Sequence, residues 1–224
     1  MARLGSENKL KIFIVEDEDL YRDLLKVALS QGDRYEVIGA FATGQAAIDA
    51  APRLKPQVAI LDIELGSELN GIQVGLLLRE ELPELGIILL SNHGDPHFVS
   101  SLPQETIAGW SYLLKKSVAD LEALTRAVEG AASGFVVLDP ALVSSLRPRP
   151  KTRLEALTAR QQQVLELMAQ GYSNPAIAEN LHLGVKAVEN YINAIYQQLA
   201  ITQKEPIHPR VKAVLTYLQD SRTS

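Results

Sequence analysis

The stretch AILDIELGSELNG, residues 59–71, decides the fold of this chain because an apolar strand ends there in one carboxylate. Val58 to Leu61 are apolar, Asp62 follows, and a polar loop containing Gly66 and Gly71 comes next. A strand that ends in Asp either emerges into solvent or presents its carboxylate to a ligand. The segments on both sides of the stretch are needed to choose between these two interpretations.

Strand-like and helix-like segments alternate around this stretch, which is the third of five apolar, β-rich segments. The strand-like segments are 11–15, 35–40, 57–62, 86–91 and 109–114, and amphipathic helix-like segments are 19–30, 44–54, 71–82 and 117–132. Alternation of this kind predicts a parallel sheet covered by helices on both faces. We therefore expect a doubly wound, five-stranded α/β domain, whose last helix is capped by Ser117 and ends just before Gly134.

The composition limits the chemistry and the location of the protein. The 224 residues include no cysteine, which excludes disulfides, thiolate chemistry and cysteine-based metal sites. No apolar run approaches the roughly 18 residues that a membrane span needs, and the N-terminus lacks the pattern of a signal peptide. We therefore expect a cytoplasmic protein without a membrane partner.

Charge is distributed unevenly along the chain. Residues 1–139 contain 12 basic and 21 acidic side chains, whereas residues 140–224 contain 10 basic and 6 acidic ones. Such an asymmetry indicates two domains with different partners, and the expected partner of the basic second domain is a polyanion. The proline- and arginine-rich run 147–153 favours an extended chain. We predict a first domain over 10–139, a linker over 140–153 and a second domain over 154–220.

The second domain is predicted to be all-helical. Thr158 and Gln161 form a capping-box pattern, Gly171 follows the helix that they begin, and Ser173 is placed to cap the next helix. The helix after it carries an apolar stripe of Val185, Val188, Ile192, Ile195 and Leu199, opposite a polar face that includes Lys186, Glu189, Asn190 and Asn193. From the residues alone, a small helical bundle with a solvated polar face is favoured, because that face is not strongly basic.

The ends of the predicted strands answer the question that Asp62 raises. In a doubly wound sheet, ligands bind beyond the carboxyl ends of the strands, where the strand order reverses between the first and third strands. Glu16 and Asp17 end the first strand and Asp62 ends the third. Three carboxylates this close repel one another, so one is protonated or a cation neutralises them. Oxygen ligands without His or Cys suit Mg²⁺.

Two further strand ends complete a site for phosphoryl transfer. Ser91 ends the fourth strand with a hydroxyl, and Lys115 follows the fifth with an ammonium group. Each such residue alone is usually solvated, but their combination at four strand ends suits a transferring phosphoryl group. Asp62 is then the nucleophile.

Residues 10–132 resemble the receiver domain of bacterial two-component response regulators. The matching pieces are IVEDE (14–18), AILDIEL with NG (59–71), ILLSNH (88–93) and YLLKKS (112–117). The resemblance implies that Asp62 is the phospho-acceptor. It implies that Asp17, Asp62 and the Glu64 main-chain carbonyl hold Mg²⁺, with Glu16 as the supporting acid. It also implies a switch pair, Ser91 and Tyr112, and a phosphoryl-contacting Lys115.

Some positions depart from the pattern of that family. Asn92 follows Ser91 where a small residue is usual, which predicts crowded access to the phosphoryl group. Glu64 and His93 are expected to flank the approach of a hydrolytic water. The segment with Pro96 and Pro103 predicts a short, broken or displaced fourth helix.

Residues 154–218 resemble the LuxR-type (NarL/FixJ) DNA-binding domain. The matching pieces are LTARQQQVLELMAQGYSNPAIAENL, AVENYINAIYQQLAI and RVKAVLTYL. The resemblance implies a helix-turn-helix whose recognition helix presents a polar face to the major groove. The residues expected to contact DNA are Lys186, Glu189, Asn190 and Asn193. Gly184 replaces the usual Ser or Thr cap of that helix, and Glu189 stands where the family often has Lys.

Together these features predict a response regulator that is not an enzyme. A sensor histidine kinase would phosphorylate Asp62, and the activated protein would form a homodimer on double-stranded DNA. One alternative is a constitutive DNA-binding regulator that no longer uses phosphate. Another is a Mg²⁺-dependent phosphatase with an Asp nucleophile. Such enzymes typically carry a second Asp two residues on, where this chain has Glu64, and no lid domain is evident.

Overall fold

A parallel sheet forms the centre of the first part of the chain. The protein is described here by a computed structural model that covers residues 9–93, 107–202 and 207–223. The strands are Leu10–Val15 (β1), Tyr35–Phe41 (β2), Val58–Asp62 (β3), Gly86–Ser91 (β4), Trp110–Leu114 (β5) and Val137–Leu138 (β6). Their order is β2-β1-β3-β4-β5-β6, and the four pairings from β2 to β5 are parallel. The doubly wound α/β class is confirmed.

The sheet has one strand more than the predicted five. The additional strand, β6, is only two residues long. Apolar alternation needs several residues before it can be recognised, so a strand of this length leaves no pattern in the sequence.

Helices lie between the strands and cover the sheet. They are Asp19–Leu29 (α1), Gly44–Leu54 (α2), Gly71–Glu81 (α3) and Leu121–Ala132 (α4). Every residue of β3, β4 and β5 is buried, as expected for parallel strands that are covered on both faces. The order reverses between β1 and β3, and Val15 is paired with Leu61. Glu16 and Asp62, the next residue of each strand, therefore lie side by side.

The beginning of α4 differs from the prediction. Lys115–Ala119 form a 3-10 helix that includes Ser117, and α4 begins only at Leu121. The cap is Asp120, whose carboxylate accepts hydrogen bonds from the main-chain N–H groups of Glu122 and Ala123. Asp serves as well as Ser at this position, and the intervening 3-10 turn shifts the helix start.

Part of the predicted linker has regular structure. Pro140–Ser145 form a short helix (α5), capped by the Asp139 carboxylate, and Leu146–Pro148 form a strand (β7). β7 pairs antiparallel with Ser221–Thr223 (β8), close to the end of the chain. An N-cap and a first-turn proline start the helix over 140–145, which precedes the run 147–153 for which an extended chain was predicted. Residue contacts divide the described residues into two compact units: one comprises 9–92 and 109–134, and the other comprises His93, residues 107–108 and the described residues from 135 onward. The domain limits 10–139 and 154–220 stay a prediction.

The second unit is mainly helical, as predicted. After a 3-10 turn at Arg153–Ala156 come Ala159–Ala169 (α6), Asn174–Asn180 (α7), Val185–Gln198 (α8) and Pro209–Asp220 (α9). The Thr158–Gln161 capping box and the Ser173 cap are present. Val188, Ile192, Ile195 and Leu199 are buried, but Val185 is 42% exposed because it lies in the first turn of α8.

Two other expectations concern a membrane span and the fourth helix of the first domain. Within 9–93, 107–202 and 207–223, no helix combines the length and the apolar character that a membrane span requires. The predicted short, broken or displaced fourth helix, with Pro96 and Pro103, lies outside the described residues.

Candidate phospho-acceptor site and DNA-reading helix

The three acidic residues predicted from the strand ends meet at the carboxyl edge of the sheet. One carboxylate oxygen from each of Glu16, Asp17 and Asp62 lies within 4.8 Å of the other two. Glu16 and Asp62 are buried, whereas Asp17 is exposed. The cluster is therefore closed towards the core and open to solvent on the side of Asp17.

Lys115 reaches into this cluster from the end of β5. Its Nζ donates hydrogen bonds to Glu16 Oε1 at 3.0 Å and to Asp62 Oδ2 at 3.1 Å. Burial alone would lower the pKa of Lys115, but its hydrogen bonds to the two carboxylates raise it above the ordinary value of 10.5. The ammonium stays charged at neutral pH and compensates only one of the three carboxylates.

The surroundings of Glu16 disfavour the ionised form of its carboxyl group. Burial raises its pKa; the hydrogen bond from Lys115 lowers it and the charge of Asp62 raises it, and the net shift is upward. Its Oε1 accepts from Lys115 and from the Glu18 N–H, while its buried Oε2 has no hydrogen-bond partner among the described residues. A buried carboxylate oxygen without a partner is costly unless a cation or a proton is bound there.

The loop after β3 orients the carboxylates. The Glu64 N–H donates to Asp62 Oδ1 and the Gly66 N–H donates to Asp17 Oδ2, both at 3.1 Å. Gly71 begins α3 so close to β3 that a Cβ atom there would lie 2.1 Å from the Asp62 carbonyl oxygen. The Asn70–Gln73 capping box starts the helix at that point. The polar loop that follows Asp62 thus holds the site in place.

These donors suit Mg²⁺. The cluster offers only carboxylate oxygens, three carboxylates face one ammonium, and one buried oxygen lacks a partner within the described ranges. Hard oxygen ligands that leave room for water are what Mg²⁺ prefers. The Glu64 side chain lies outside the cluster, and its Oε2 accepts from Asn92 Nδ2 at 3.2 Å. Glu64 as a ligand through its main-chain carbonyl stays a prediction.

Ser91 and Tyr112 lie on the neighbouring strands β4 and β5. Ser91 is the last residue of β4 and is buried, and Tyr112 is only 1% exposed. Leu89 pairs with Tyr112, so Tyr112 and Ser91 point to the same face of the sheet, with Ser91 nearer the acidic cluster. The Tyr112 ring is thus already buried in this structure.

Asn92 and His93 follow Ser91 at the open side of the site, and both are exposed. The Asn92 amide contacts Glu64, so a hydrogen bond joins the loop after β4 to the loop after β3. Crowded access to the phosphoryl group stays a prediction.

Two residues of α1 belong to the site but were missed by reasoning from the sequence. The Tyr21 hydroxyl donates to the Lys115 carbonyl oxygen at 2.8 Å, and the Lys115 Nζ lies 4.8 Å from the centre of the Tyr21 ring. Arg22 donates to the Glu16 carbonyl oxygen at 2.6 Å. Their position in the sequence could have identified them, because both residues lie in the first turn of a helix that begins two residues after Asp17.

The predicted DNA-contacting residues share one face of α8. Lys186, Asn190 and Asn193 are exposed, and Glu189 is partly exposed. Lys186 Nζ and Glu189 Oε2 form an ion pair at 3.0 Å. Gly184, the N-cap, makes no side-chain hydrogen bond, and the turn before it is fixed by Arg160, which donates to the Leu181 carbonyl oxygen. This face of α8 is accessible to solvent, and the charges of Lys186 and Glu189 neutralise each other.

Comparison with known protein families agrees with this geometry. Residues 12–129 match the family of response regulator receiver domains, and residues 155–207 match the luxR family of bacterial regulatory proteins. The receiver match alone spans more than half of the chain.

Curated proteins and a solved structure are similar to this chain along nearly its whole length. The transcriptional regulatory protein DegU of Brevibacillus brevis is 28% identical over 220 residues, covering 89% of this chain and 91% of that protein. The response regulator protein VraR of Staphylococcus aureus is 28% identical over 198 residues, covering 87% and 92%. A structure of two RcsB dimers bound to two parallel DNAs is similar at 22% identity and a TM-score of 0.53, covering 95% and 99%, which supports the fold.

The acidic cluster with its lysine, the parallel sheet that carries it, the helical second unit and the two family matches lead to one conclusion. The chain belongs to the two-component response regulators of the NarL/FixJ family, transcription regulators in which a receiver domain precedes a LuxR-type helix-turn-helix domain.

Proposed function

We propose that this protein is a transcription regulator controlled by phosphorylation of Asp62. The observation that carries the proposal is the placement of the Asp62 carboxylate beside Lys115 and within the acidic cluster of Glu16 and Asp17. A sensor histidine kinase is the phosphoryl donor, the DNA double helix is the target, and the cytoplasm is the location. The protein acts as a regulator and not as an enzyme.

Asp62 and Lys115 have different roles in phosphoryl transfer. A carboxylate oxygen of Asp62 attacks phosphorus, a new P–O bond forms, and the P–N bond to the histidine of the donor breaks. The electron pair of that bond returns to the imidazole nitrogen, and because the other ring nitrogen of the phosphohistidine carries a proton, the products are an acyl phosphate and a neutral histidine. Lys115 moves from Asp62 Oδ2 to the phosphoryl oxygens and balances their charge.

Glu16, Asp17 and Asp62 are the side chains that would hold Mg²⁺, together with the Glu64 carbonyl. The ion supplies positive charge against the phosphoryl oxygens. The exposed side of Asp17 leaves space for the water ligands that Mg²⁺ retains.

The change at Asp62 is passed on by the switch pair. Ser91 lies at the same edge of the sheet, and Tyr112 lies on the same face one strand away. We infer that acylation draws Ser91 towards the phosphoryl group and fixes Tyr112 in its buried position, which biases the surface of the receiver domain towards a homodimer. In the dimer, two α8 helices read successive major grooves, with α9 as a contact between the DNA-binding domains.

One observation favours a phosphate-independent regulator as a second candidate. Asn92, which follows Ser91 at the open side of the site, donates a hydrogen bond to Glu64 and so joins the loop after β4 to the loop after β3. In that case the second domain would bind DNA without any modification of the receiver domain. Labelling of the purified protein by a phosphodonor separates the two candidates.

The test is the substitution Asp62→Asn. The amide has the shape of the carboxylate but is not nucleophilic, so Mg²⁺-dependent labelling by a small phosphodonor should be abolished while the protein stays folded. Mass spectrometry of the intact protein measures the added phosphate, and circular dichroism checks the fold. The matched control is Asp33→Asn, an exposed carboxylate paired with Lys9, which should be labelled like the wild type. Labelling of Asp62→Asn at the wild-type level would place the acceptor elsewhere.

A further inference from the structure

Tyr21 contacts both the main chain and the ammonium group of Lys115, the lysine of the phospho-acceptor site. Its hydroxyl donates to the main-chain carbonyl of Lys115 at 2.8 Å, and the face of its ring lies 4.8 Å from the Lys115 Nζ. The two residues are 94 positions apart in the sequence, on α1 and at the end of β5. The contact therefore exists only because the fold brings these two elements together.

The ammonium group of Lys115 has three neighbours in the described part of the chain. Two are the Glu16 and Asp62 carboxylates, and the third is the Tyr21 ring. The carboxylates attract the ammonium strongly, but one of them, Asp62, is the group that must change during the reaction. When Asp62 is acylated it loses the charge that Oδ2 presents to Lys115. The Glu16 carboxylate and the Tyr21 ring are the two contacts that this change leaves in place.

We propose that Tyr21 is a positioning residue, which keeps the Lys115 ammonium directed at the phosphoryl group while Asp62 is being acylated. The ring attracts the cation through its negative face, and the hydroxyl fixes the main chain from which the lysine extends. This inference rests on the proposed role of Asp62 and Lys115 and adds a residue to it.

The surroundings of Tyr21 keep its hydroxyl protonated. The side chain is partly buried, and burial together with the charges of Glu16, Asp62 and Glu18 raises its pKa. A neutral phenol donates a hydrogen bond to the Lys115 carbonyl and keeps its ring uncharged beside the acidic cluster. An aliphatic residue at position 21 would supply neither contact, and Phe would supply the ring alone.

The test compares Tyr21→Phe with Tyr21→Leu. Tyr21→Leu removes ring and hydroxyl, and we expect labelling of Asp62 by a small phosphodonor to slow by about threefold to thirtyfold, the range of a partly desolvated cation–π contact. Tyr21→Phe should slow it by about twofold to tenfold and by less than Tyr21→Leu does, because it loses one hydrogen bond and keeps the ring. Mg²⁺ affinity, measured by calorimetry, should match the wild type in both variants, since Tyr21 contacts the lysine and is not a ligand.

The matched control is Tyr35→Leu. Tyr35 is also half-buried, its hydroxyl donates to Glu129, and Arg34 lies 5.6 Å from the centre of its ring, but it lies on β2 away from the cluster. This variant should be labelled at the wild-type rate. A rate loss in Tyr35→Leu equal to that in Tyr21→Leu would show that any lost tyrosine slows labelling, and would overturn the proposal.

A second readout does not depend on phosphorylation. An aromatic ring over the lysine should shift the NMR signals of the Lys115 Hε protons upfield; Tyr21→Phe should keep that shift, and Tyr21→Leu should remove it. Retention of the shift in Tyr21→Leu would overturn the contact itself.

The outcomes separate this inference from the function on which it rests. If the wild type is labelled and Asp62→Asn is not, the proposed function stands. An unchanged labelling rate in Tyr21→Leu would then overturn the positioning role alone, as would a rate loss matched by an equal loss of Mg²⁺ affinity. If the wild type takes up no phosphate, the proposed function fails and the positioning role falls with it, while the NMR shift still decides whether the ring lies over the lysine.

Discussion

At the scale of single residues, Glu16 shows how neighbouring charges set the state of the site. It is fully buried, one of its oxygens contacts Lys115, and the other has no partner within the described ranges. Burial, with the charge of Asp62, raises its pKa above the ordinary value of 4.5. A proton and Mg²⁺ therefore compete for the same carboxylate.

This competition predicts how Mg²⁺ stabilises the protein at different pH values. The pKa of Glu16 is higher in the folded than in the unfolded chain, so without metal its contribution to the free energy of unfolding is fully present below pH 4.5 and is lost as pH rises through the folded pKa. Mg²⁺ needs the deprotonated form, so the increase in Tm that it causes should grow over the same rise in pH. Thermal unfolding with and without Mg²⁺ measures this. Glu16→Gln should lose the pH dependence; an increase in Tm that is equal at acid and neutral pH in the wild type would contradict it.

Glu189 shows a similar competition on the DNA-reading face. It forms an exposed ion pair with Lys186, and such pairs contribute about 1 kcal/mol or less to stability. The same carboxylate repels phosphates and is able to accept a hydrogen bond from cytosine N4. Pairing in the free protein and reading of DNA are therefore both open to this residue.

The prediction is that Glu189→Ala raises affinity for random DNA, because Lys186 is freed and a repulsive charge is removed. At one base pair per half-site the variant should lose about 1–3 kcal/mol of discrimination. A titration at fixed salt against the preferred site and its single-base variants measures both effects. Glu179→Ala removes an exposed charge from α7 and is the control. An unchanged ranking of the variant sites would show that Glu189 does not read sequence.

At the scale of elements, the start of α8 differs from the starts of α6, α7 and α9, each of which has a side-chain N-cap hydrogen bond. Gly184 stands at the N-cap with an extended backbone, φ −78° and ψ 148°, and no side-chain cap. A Cβ atom built there meets nothing within 4 Å. The position therefore accepts a side chain without strain, and the missing cap leaves N–H groups of the first turn to solvent.

Gly184→Ser should stabilise the second domain by a few tenths of a kcal/mol, because its hydroxyl can accept from the first turn of α8. Gly184→Ala, which fills the same space without a cap, should not stabilise it. Gly171→Ser gives the opposite control, since φ is +82° there and a Cβ would lie 2.8 Å from Val137. Denaturant unfolding ranks the variants. Equal stability of the Ser and Ala variants at position 184 would show that no cap forms.

At the scale of the whole molecule, the two parts of the chain carry opposite charge. Acidic residues dominate positions 1–139 and basic residues dominate 140–224. This division suits a first domain that binds a cation and a second domain that approaches a polyanion. Phosphorylation of the first domain has to be communicated to the second, and association of two molecules is the route that we propose.

Association is measurable directly. A beryllofluoride phosphoryl mimic with Mg²⁺ should shift the protein from monomer towards dimer in sedimentation velocity. Lys115→Ala should weaken the shift, because Lys115 is the cation beside Asp62 that contacts the mimic. Sedimentation that is identical with and without the mimic would favour the phosphate-independent regulator.

The sequence by itself determined the chemistry at the strand ends and the caps of several helices. Asp62, Ser91 and Lys115 could be placed because each ends or follows a short apolar segment, and parallel strands bring their carboxyl ends to one edge. The Thr158–Gln161 capping box was readable because it depends on residues three apart. Local patterns of this kind are complete within a few residues.

Only the tertiary structure decided which partners these groups have. Lys115 contacts Glu16 across 99 positions and Tyr21 across 94, and β7 pairs with a strand near the end of the chain. Asp120 instead of Ser117 caps α4, and Lys186 pairs with Glu189 before any DNA is bound. Contacts between distant segments depend on how helices and strands pack against one another. Hydrophobic periodicity predicts the elements themselves but not this packing.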